Sequence, residues 1–575
     1  MIITKQQPSC KQKYTNTKEL LQCSFMNPSD LSKILHSLNI NPDEIPDKKE
    51  SQTIRILLHI IEELNEEVQA LKAELQKTRD ELNHLKGEKG KPKFPVPKQN
   101  KDVSSENERR NPIPRGERKS KEKLSKIKIN VSEDCKVDPS ILPGDAEFKY
   151  YDTVVVQDII ITTKNTAYRK EVWYSPSQHR TYRGELPHGI EGEFGNGVKS
   201  LIITLKHASN VSEPKIHEFL ENIGIFISPA TISRILTKNL ETFYQEKADI
   251  FEAGLKSTRY QQIDDTGAKV NGQNQYVEIF CNPFYTAYFT IPSKDRLSIL
   301  DILQGNKPRS YFFNEEAFTL LESFGLSNKI ISKMRDNALD KLLDEKQLQH
   351  LINGIFYDPN KGRNIRTRIM EAGAIAAYHN RKDIPVVKVI LSDDAPQFKK
   401  LAEEQALCWI HDARNYKKLE PIVPLYKNEL EDFLNRYWNY YRQLLQFREN
   451  STHENAEQLS TEFDGLVSTK TNYEALNKRI EITKENRSEL LLILKYPEIP
   501  LHNNAAELGA RSQVRKRDVS LHTMTQEGTK ASDTFMTIVQ TAKKLGVSVF
   551  DYIGDRVSKS FKVPSLAELI GIKSV

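Results

Sequence analysis

The sequence contains few cysteines and no long apolar run. Its five cysteines are Cys10, Cys23, Cys135, Cys281 and Cys408, and no two of them form a C-x-x-C pair. This spacing excludes a disulfide framework and a thiolate-rich zinc site, and it is typical of a reducing compartment. No stretch approaches the roughly 18 apolar residues of a membrane helix, and the N-terminus has no basic segment followed by an apolar core. We therefore expect a cytoplasmic protein with no membrane partner.

A strong excess of one charge is also absent. The formal net charge is +6, with 28% charged and 38% hydrophobic residues. The length of 575 residues is enough for roughly three to four domains of about 150 residues each. Any polyanionic partner must therefore be inferred from local clusters of positive charge.

The clearest cluster of positive charge is the segment 89–129. This segment is rich in Lys, Arg, Pro, Ser and Asn and has almost no apolar residues, so it cannot bury enough surface to fold alone. Two interpretations stay open: a solvated flexible linker, and a basic arm that neutralises DNA phosphates. The polar segment 1–50 receives no function.

Residues 51–88 carry a seven-residue apolar repeat. Its two series are Ile54, Ile61, Val68, Leu75, Leu82 and Leu57, Leu64, Leu71, Thr78, Leu85. These are the a and d positions of a coiled coil. β-Branched residues at the first a positions with Leu at d favour a parallel homodimer, and an antiparallel hairpin within one chain is the alternative.

The next two segments are predicted to be a small β-rich domain and a helix pair. In 130–197 we expect strands over 151–163 and 167–175. In 198–245 two helices are separated by a turn at Gly224, and the second begins at Ser228. This pattern is typical of a helix-turn-helix, with Thr231, Ser233 and Arg234 as DNA-contact candidates, although an ordinary helical hairpin has the same pattern.

An unusual pair of acids follows in Y-Q-Q-I-D-D-T-G, where a β-prone run contains Asp264 and Asp265. A carboxylate in a half-buried strand costs desolvation energy unless it is paired or binds a cation. The alternative is that the acids only cap a turn. Asp264 is therefore a candidate site residue.

The segments 255–313, 379–416 and 500–548 together are typical of a ribonuclease-H-like catalytic core. Three antiparallel strands, a helix over 293–303 and a buried strand over 386–391 precede Asp393, and a late helix carries Glu507. We also expect a helix over 397–405 and a strand over 406–410. This order predicts that Asp264, Asp393 and Glu507 converge without a matching set of Lys or Arg. Such a cluster requires divalent cations, and oxygen ligands select two Mg²⁺ or Mn²⁺ ions.

Around these acids the chain resembles transposases of the insertion-sequence-66 family, within the DDE superfamily. The matching segments are I-D-D-T-G at 263–267, S-D at 392–393, C-W-I-H-D-A-R at 408–414, N-N-A-A-E-L-G-A-R at 503–511, E-G-T-K-A-S-D-T-F at 527–535 and R-K-E-V-W-Y-S-P-S at 169–177. The resemblance implies that Asp264, Asp393 and Glu507 are catalytic metal ligands. It also implies a bacterial, nucleoid-associated DNA transposase that cuts transposon ends and joins the 3′-hydroxyl to target DNA. The implied partners are double-stranded DNA, a second protomer and element-encoded helper proteins.

The chain departs from the family pattern at several positions. Asp265 replaces a Glu, His502 replaces an Asp, and Leu508 replaces an Arg beside Glu507. The zinc-binding cysteines that precede the core in this family are absent, so no zinc is expected. These departures motivate an alternative function, a catalytically silent DNA-binding protein derived from a transposase. A ribonuclease-H-like nuclease acting on other nucleic acids is a third possibility.

The remaining predictions concern residues around the core. Cys408 and His411 are expected to be structural, as a buried thiol and a hydrogen-bonded imidazole. We expect helical insertions at 314–378 and 417–499 and a C-terminal tail at 549–575. Trp438 in the second insertion either stacks on an unpaired base or belongs to the helical core. A basic cluster suited to hold DNA near the metal site follows Glu507: Arg511, Arg515, Lys516 and Arg517.

Overall fold

The computed structural model describes residues 34, 35, 37, 40–85, 127–187, 192–356 and 362–574. The basic segment 89–129 lies outside the described residues except for 127–129. Among the described residues, no helix combines the length and the apolar character needed to cross a membrane.

The helices and strands of these ranges form a mixed α/β architecture. The helices are α1 (Lys48–Leu85), α2 (Asn196–His207), α3 (Glu213–Asn222), α4 (Pro229–Thr237), α5 (Glu241–Ser257), α6 (Arg296–Leu303), α7 (Glu315–Ser323), α8 (Asn328–Ala338), α9 (Glu345–Ile355), α10 (Arg363–His379), α11 (Trp409–Tyr416), α12 (Pro424–Glu449), α13 (His453–Val467), α14 (Glu474–Glu485), α15 (Arg487–Leu490), α16 (Leu492–Lys495), α17 (Asn504–Ser520), α18 (Gln526–Lys544), α19 (Val549–Val557) and α20 (Leu566–Ser574). The strands are β1 (Val172–Ser175), β2 (Arg180–Arg183), β3 (Tyr260–Val270), β4 (Gln273–Cys281), β5 (Thr286–Ile291), β6 (Tyr311–Phe312), β7 (Leu342–Leu343), β8 (Val389–Ser392) and β9 (Glu404–Leu407).

The central sheet has the strand order β5-β4-β3-β8-β9. Strands β3, β4 and β5 are antiparallel, and β8 and β9 continue the sheet in parallel. Asn271 and Gly272 join β3 to β4 with φ values of 48° and 77°. A two-residue Asn-Gly loop with both φ values positive matches the right-handed twist of a hairpin and therefore sets its register. The three antiparallel strands and the later buried strand are present where the sequence predicts them.

Helix α18 covers the edge of this sheet. Its Asp533, Thr537 and Thr541 accept hydrogen bonds from the backbone N–H groups of Thr290, Tyr288 and Thr286, at 2.7, 3.1 and 3.2 Å. The acceptors repeat every four residues of a helix, and the donors repeat every second residue of β5. The N–H groups of an edge strand, which otherwise attract a foreign strand, are thereby satisfied within the chain.

Two segments that were predicted to lie outside the catalytic core contribute to the main apolar core. The segment 314–378 is not a separate unit, because Phe318 and Ile375 lie in the same buried cluster as Ile263 of β3. The segment 549–575 is not a free tail, because it forms α19 and α20 and buries Tyr552 and Ile570 in that cluster, although a helix from Val549 does follow from the sequence. In both cases the packing partners are distant in the sequence.

Two predictions of secondary structure are wrong. The structure has no regular strand over 151–163, where Val154 and Ile160 are 80% and 86% exposed. A β-prone run forms a strand only where a second strand takes its backbone hydrogen bonds, and the hairpin β1–β2 does not extend to this run. The predicted helix over 397–405 is a short 3-10 turn, Pro396–Phe398, followed by strand β9. Lys400 adopts a left-handed φ of 66°, which interrupts any helix, and pairing with β8 then selects the strand.

Helices α11 to α16 have an apolar core of their own around Trp409, and α1 docks on it. Leu58 is buried in this cluster and Ile54 and Ile61 pack against it. Glu62 is buried and accepts hydrogen bonds from the backbone N–H groups of Ile422 (3.0 Å) and Val423 (3.2 Å). The first two residues of the predicted a series therefore pack within the chain.

Candidate active site

Parallel pairing of two strands places the first two predicted acids side by side. In the register of β3 with β8, Gln262 lies opposite Leu391. Asp264 is two residues beyond Gln262, and Asp393 is two residues beyond Leu391, directly after β8 ends. Adjacent parallel strands carry the residues beyond such a pair to the same edge of the sheet. The geometry thus agrees with the predicted proximity of the two aspartates.

The third acid arrives through the start of α17. The Asn503 side-chain amide donates to the backbone oxygen of Ile263 at 2.6 Å, and the Gln262 amide donates to the backbone oxygen of His502 at 3.0 Å. Glu507 lies one turn into the helix, with its backbone N–H bonded to the Asn503 oxygen at 3.1 Å. Two side-chain amides therefore fix the helix that carries Glu507 to the strand that carries Asp264.

Cys408 ties the same helix to β8. Its backbone N–H donates to the Ser392 oxygen at 3.0 Å, and its sulfur accepts a hydrogen bond from the backbone N–H of Asn503 at 3.3 Å. The thiol is 1% exposed, and burial raises its pKa to about 11. A neutral, buried thiol of this kind packs and accepts one bond, as a structural cysteine does.

The electrostatic environment of Asp264 disfavours its charge. Burial, helped by the charges of Asp393, Asp265 and Glu507, raises the pKa of Asp264 to about 7, and the Asp265 backbone N–H opposes this rise. That N–H donates to Asp264 Oδ1 at 2.8 Å. A cation beside Asp264 would remove both penalties, so the side chain suits a metal ligand.

Glu507 has cationic partners that the sequence did not predict. Arg414 donates to both of its carboxylate oxygens, at 3.3 and 3.4 Å, and Arg511 lies 3.7 Å away. His411 is hydrogen-bonded, with its Nε2 accepting from Arg414 at 3.0 Å, and the same Nε2 lies 3.8 Å from Glu507. The expectation that the three acids lack matching Lys or Arg is therefore wrong, because α11 brings Arg414 to the site.

The arginine pairing has a consequence for metal binding. Within the described ranges no group of three or more His, Cys, Asp or Glu side chains is gathered as a metal site. Asp264 on β3 and Asp393 directly after β8 lie on neighbouring strands, while the Glu507 carboxylate pairs with Arg414. Joining all three acids around a cation requires the Glu507 carboxylate to exchange guanidinium contacts for the ion.

A second acidic group lies on the other face of β3. Asp265 pairs across the hairpin with Glu278 of β4. Asp265 accepts from Lys294 Nζ at 3.3 Å and from the Gln397 side-chain amide at 3.1 Å. Glu278 is fully buried, and neither carboxyl oxygen has a hydrogen-bond partner among the described residues. Burial, followed by the charge of Asp265, raises the pKa of Glu278 to about 8.

Sequence reasoning missed Glu278, although a signal existed. The Asn271-Gly272 loop sets the pairing of every residue in the hairpin, including that of Asp265 with Glu278. Counting outward from the loop would have shown two acids directly opposite each other, which is an unfavourable pair without compensation.

The basic cluster after Glu507 is divided between surface and interior. Arg511 and Arg515 are exposed on α17. Lys516 is 6% exposed, donates to the Ser532 hydroxyl at 2.7 Å and lies 3.0 Å from His207 Nδ1. Arg517 donates to the backbone oxygen of Gly267. The prediction that Lys516 lies on an open DNA-binding surface is therefore corrected: it follows the buried Gly509 by seven residues, about two helical turns, so it lies on the same inward face of α17.

The predicted helix pair corresponds to α3 and α4. Ser228 caps α4 by accepting from the Thr231 N–H at 3.2 Å, and Arg234 donates to the Thr231 hydroxyl at 2.9 Å. Ile232 and Leu236 are buried, so the opposite face with Arg234 is exposed. This arrangement leaves one face of α4 open, as a helix that contacts DNA requires.

Trp438 is part of the helical core around Trp409. Its ring meets the rings of Tyr437 and Tyr441 edge-on, with centroids 5.6 and 5.4 Å apart. The side chain is half-buried and packs against that cluster. An aromatic contact of this kind supports the packing interpretation of the residue.

The chain is similar to a known protein family and to a known protein. The model of the transposase IS66 family matches residues 374–531. The matched range contains Asp393, Cys408 and Glu507, whereas Asp264 precedes it. An uncharacterized protein of Sinorhizobium fredii, y4jO, is 31% identical over 326 residues, which is 56% of this chain and 100% of that protein.

Proposed function

The chain belongs to the IS66 family of transposases, and on this basis we propose that it cuts the ends of a DNA element and joins the freed 3′-hydroxyl to target DNA. The observation that carries the proposal is that Asp264, inside β3, and Asp393, directly after β8, both lie two residues beyond the last pair of these parallel strands, with Glu507 tied to β3 through Asn503. The sheet order β5-β4-β3-β8-β9, antiparallel and then parallel, supports a ribonuclease-H-like core.

The donor set suits divalent cations. Asp264, Asp393 and Glu507 offer only carboxylate oxygens, which Mg²⁺ and Mn²⁺ prefer. Two such ions would activate the attacking oxygen and stabilise the leaving oxygen in each phosphoryl transfer. The raised pKa of Asp264 is the sign that this carboxyl lacks a compensating positive charge.

The residues of the chain have separate parts in this proposal. Asp264 and Asp393 hold the cations from the rigid sheet, and Asn503 positions the helix that supplies Glu507. Arg414 stabilises the Glu507 carboxylate through both of its oxygens. Arg511 and Arg515, which are exposed on α17, the helix that carries Glu507, contact the DNA backbone. No zinc has a part in this scheme.

Helix α1 supports a proposal for pairing of two protomers. Leu57, Leu64 and Leu71 are 52%, 55% and 56% exposed on one face. Because Ile54 and Ile61 pack against the helices around Trp409, we place the parallel pairing seam from Leu64 onward. Leu64→Lys together with Leu71→Lys should give monomers in light scattering, and unchanged dimers would contradict this seam.

The test of the function is cleavage of a labelled duplex that carries the end of the element encoding the chain. With Mg²⁺, the wild type should nick at the element end and Asp264→Asn should not. Asp249→Asn, an exposed acid on α5, is the matched control and should cut as the wild type does. Binding without cutting by the wild type would favour the silent DNA-binding protein or a requirement for helper proteins. Cutting without regard to the end sequence would favour a general nuclease.

A further inference from the structure

A cavity of about 310 Å³ lies between the helix pair and the sheet. Its walls come from the end of α2, one face of α4, the end of β3 and the α17–α18 connection. This volume is at the lower end of the range of small-molecule sites, about 300–1,000 Å³. The cavity therefore joins the proposed DNA-reading helix to the strand that carries Asp264.

The lining of this cavity is strongly basic. Six lining residues are cationic or imidazole side chains: Lys206, His207, Lys269, Lys516, Arg517 and His522. They come from two helices, one strand and one loop, so their proximity is a product of the fold. The first turn of α18, with Thr525, Gly528 and Thr529, also lines the cavity, and the N-terminal end of a helix favours an anion.

The two acids in the lining are already engaged. Asp533 accepts from the backbone N–H and the hydroxyl of Thr290, at 2.7 and 2.8 Å, as part of the cover over β5. Glu213 pairs with Lys206 at 3.2 Å. Neither carboxylate contacts Lys516, Arg517 or His522 through a direct ion pair among the described residues.

Lys516 is the central cation. Among the described residues, its ammonium makes hydrogen bonds to Ser532 and His207 alone, and neither partner carries a negative charge. Burial and the charge of Lys206 lower its pKa to about 7, with Asp533 opposing them. A buried lysine without an anionic partner is costly, and an anion entering the cavity would remove that cost.

We propose that this basic cavity binds a phosphate group, and that in the functional complex the phosphate belongs to the DNA backbone. The chemistry of the lining requires only a phosphate or a similar oxyanion. The assignment to DNA rests on the proposed function and on α4, because Ser233 and Thr237 line the cavity while Arg234 is exposed beside them. DNA lying on α4 would present its backbone to the cavity, and one contact would couple DNA binding to the catalytic sheet.

The first arm of the test measures anion binding without DNA. Full-length protein is titrated with inorganic phosphate, or with sulfate, and the melting temperature is compared with that in sodium chloride of equal ionic strength. The wild type and Asp264→Asn should both be stabilised by the oxyanions. Lys516→Met should lose the effect, and Lys206→Gln should bind about tenfold more weakly. Lys543→Gln, exposed on α18 outside the cavity, should bind as the wild type does.

The pH dependence of sulfate binding tests the part of Lys516 in the anion site. Sulfate does not titrate near neutrality, so its affinity should fall as pH rises from about 6.5 to 8.5 and Lys516 loses its proton. The other titratable or charged groups facing the cavity are Lys206, His207, Lys269, Arg517, His522, Glu213 and Asp533. A folded Lys206→Gln that binds phosphate as the wild type does, or a wild type indifferent to phosphate, would overturn the cavity as an anion site.

The second arm identifies the source of the phosphate. Binding of a random-sequence duplex is measured at several salt concentrations. Removing one phosphate contact in Lys206→Gln should reduce the slope of log affinity against log salt by about 1. If the slope is unchanged while phosphate affinity falls, the DNA assignment is wrong and the cavity takes a free phosphate compound. Neither arm requires cutting, so failure of the proposed catalytic function is seen separately.

Discussion

Asp264 and Asp265 are neighbours on one strand, yet they lie in different electrostatic environments. Asp264 faces the start of α17, where burial, followed by the charges of Asp393 and Glu507, raises its pKa. Asp265 faces Lys294, Gln397 and the buried Glu278. Because side chains alternate along a strand, a one-residue step moves a carboxylate from one face of the sheet to the other. The comparison teaches that residue type alone does not distinguish the two aspartates as candidates for the proposed metal site, whereas the face of the strand does.

The largest expected effect separates the two aspartates directly. Asp264→Asn should reduce Mg²⁺-dependent cleavage at least about 100-fold, because several kcal/mol of transition-state stabilisation are lost with a metal ligand. Asp265→Asn should retain most of the wild-type rate. Single-turnover cleavage of a labelled duplex measures both, with circular dichroism as the control for folding. Equal losses in the two variants would remove the distinction between the faces.

The next prediction concerns Glu278 behind Asp265. Its folded pKa is raised to about 8 from an ordinary value of 4.5, so the folded state holds the proton more tightly than the unfolded state. The contribution of Glu278 to the free energy of unfolding is therefore complete below about pH 4.5. This contribution, a few kcal/mol, is lost as the pH rises toward 8. In Glu278→Gln this loss should be absent.

The measurement is the thermal midpoint of both proteins from pH 5 to 8.5 with a chelator present. The difference between wild type and Glu278→Gln isolates Glu278 from other groups that titrate in the same range. A difference that does not change with pH would show that Glu278 is ionised in the folded protein.

A smaller effect concerns metal binding at Asp264. A carboxyl with a pKa of about 7 is mostly protonated at pH 6, and a cation must displace that proton. Apparent Mg²⁺ affinity should therefore weaken about tenfold between pH 8 and pH 6. Stabilisation of the protein by Mg²⁺ at each pH measures this affinity. Asp265→Asn should preserve the dependence, and a pH-independent affinity would argue against Asp264 as a ligand.

The smallest effect compares two arginines on Glu507. Arg511 is 52% exposed and lies 3.7 Å from the carboxylate, so Arg511→Gln should change stability by less than about 0.5 kcal/mol. Arg414 holds both oxygens of the same carboxylate, and Arg414→Gln should cost more. Chemical denaturation of the two variants gives the comparison. A larger loss from Arg511→Gln would reverse the assignment of the principal partner.

Much of the fold follows from local signals. The Asn271-Gly272 loop predicts the hairpin and its register, and Ser228 with Pro229 marks the start of α4. Asp264 became a candidate because a carboxylate in an apolar, strand-forming run is costly. Asp393 and Glu507 followed from the order of the elements and from the family resemblance. A strand was expected over 406–410, and β9 starts earlier, at Glu404, because a run that can form either a helix or a strand is decided by the strand beside it.

By itself, the sequence determined the identity and order of the elements around the candidate site: the hairpin, the strand that ends before Asp393, and the helix that starts at Asn504. The tertiary structure decided which charges meet. Arg414 lies against Glu507, Lys516 is buried beside His207, and Glu278 has no hydrogen-bond partner among the described residues. Local propensity acts through neighbours in sequence, whereas desolvation and ion pairing depend on distances between groups that only the folded chain brings together.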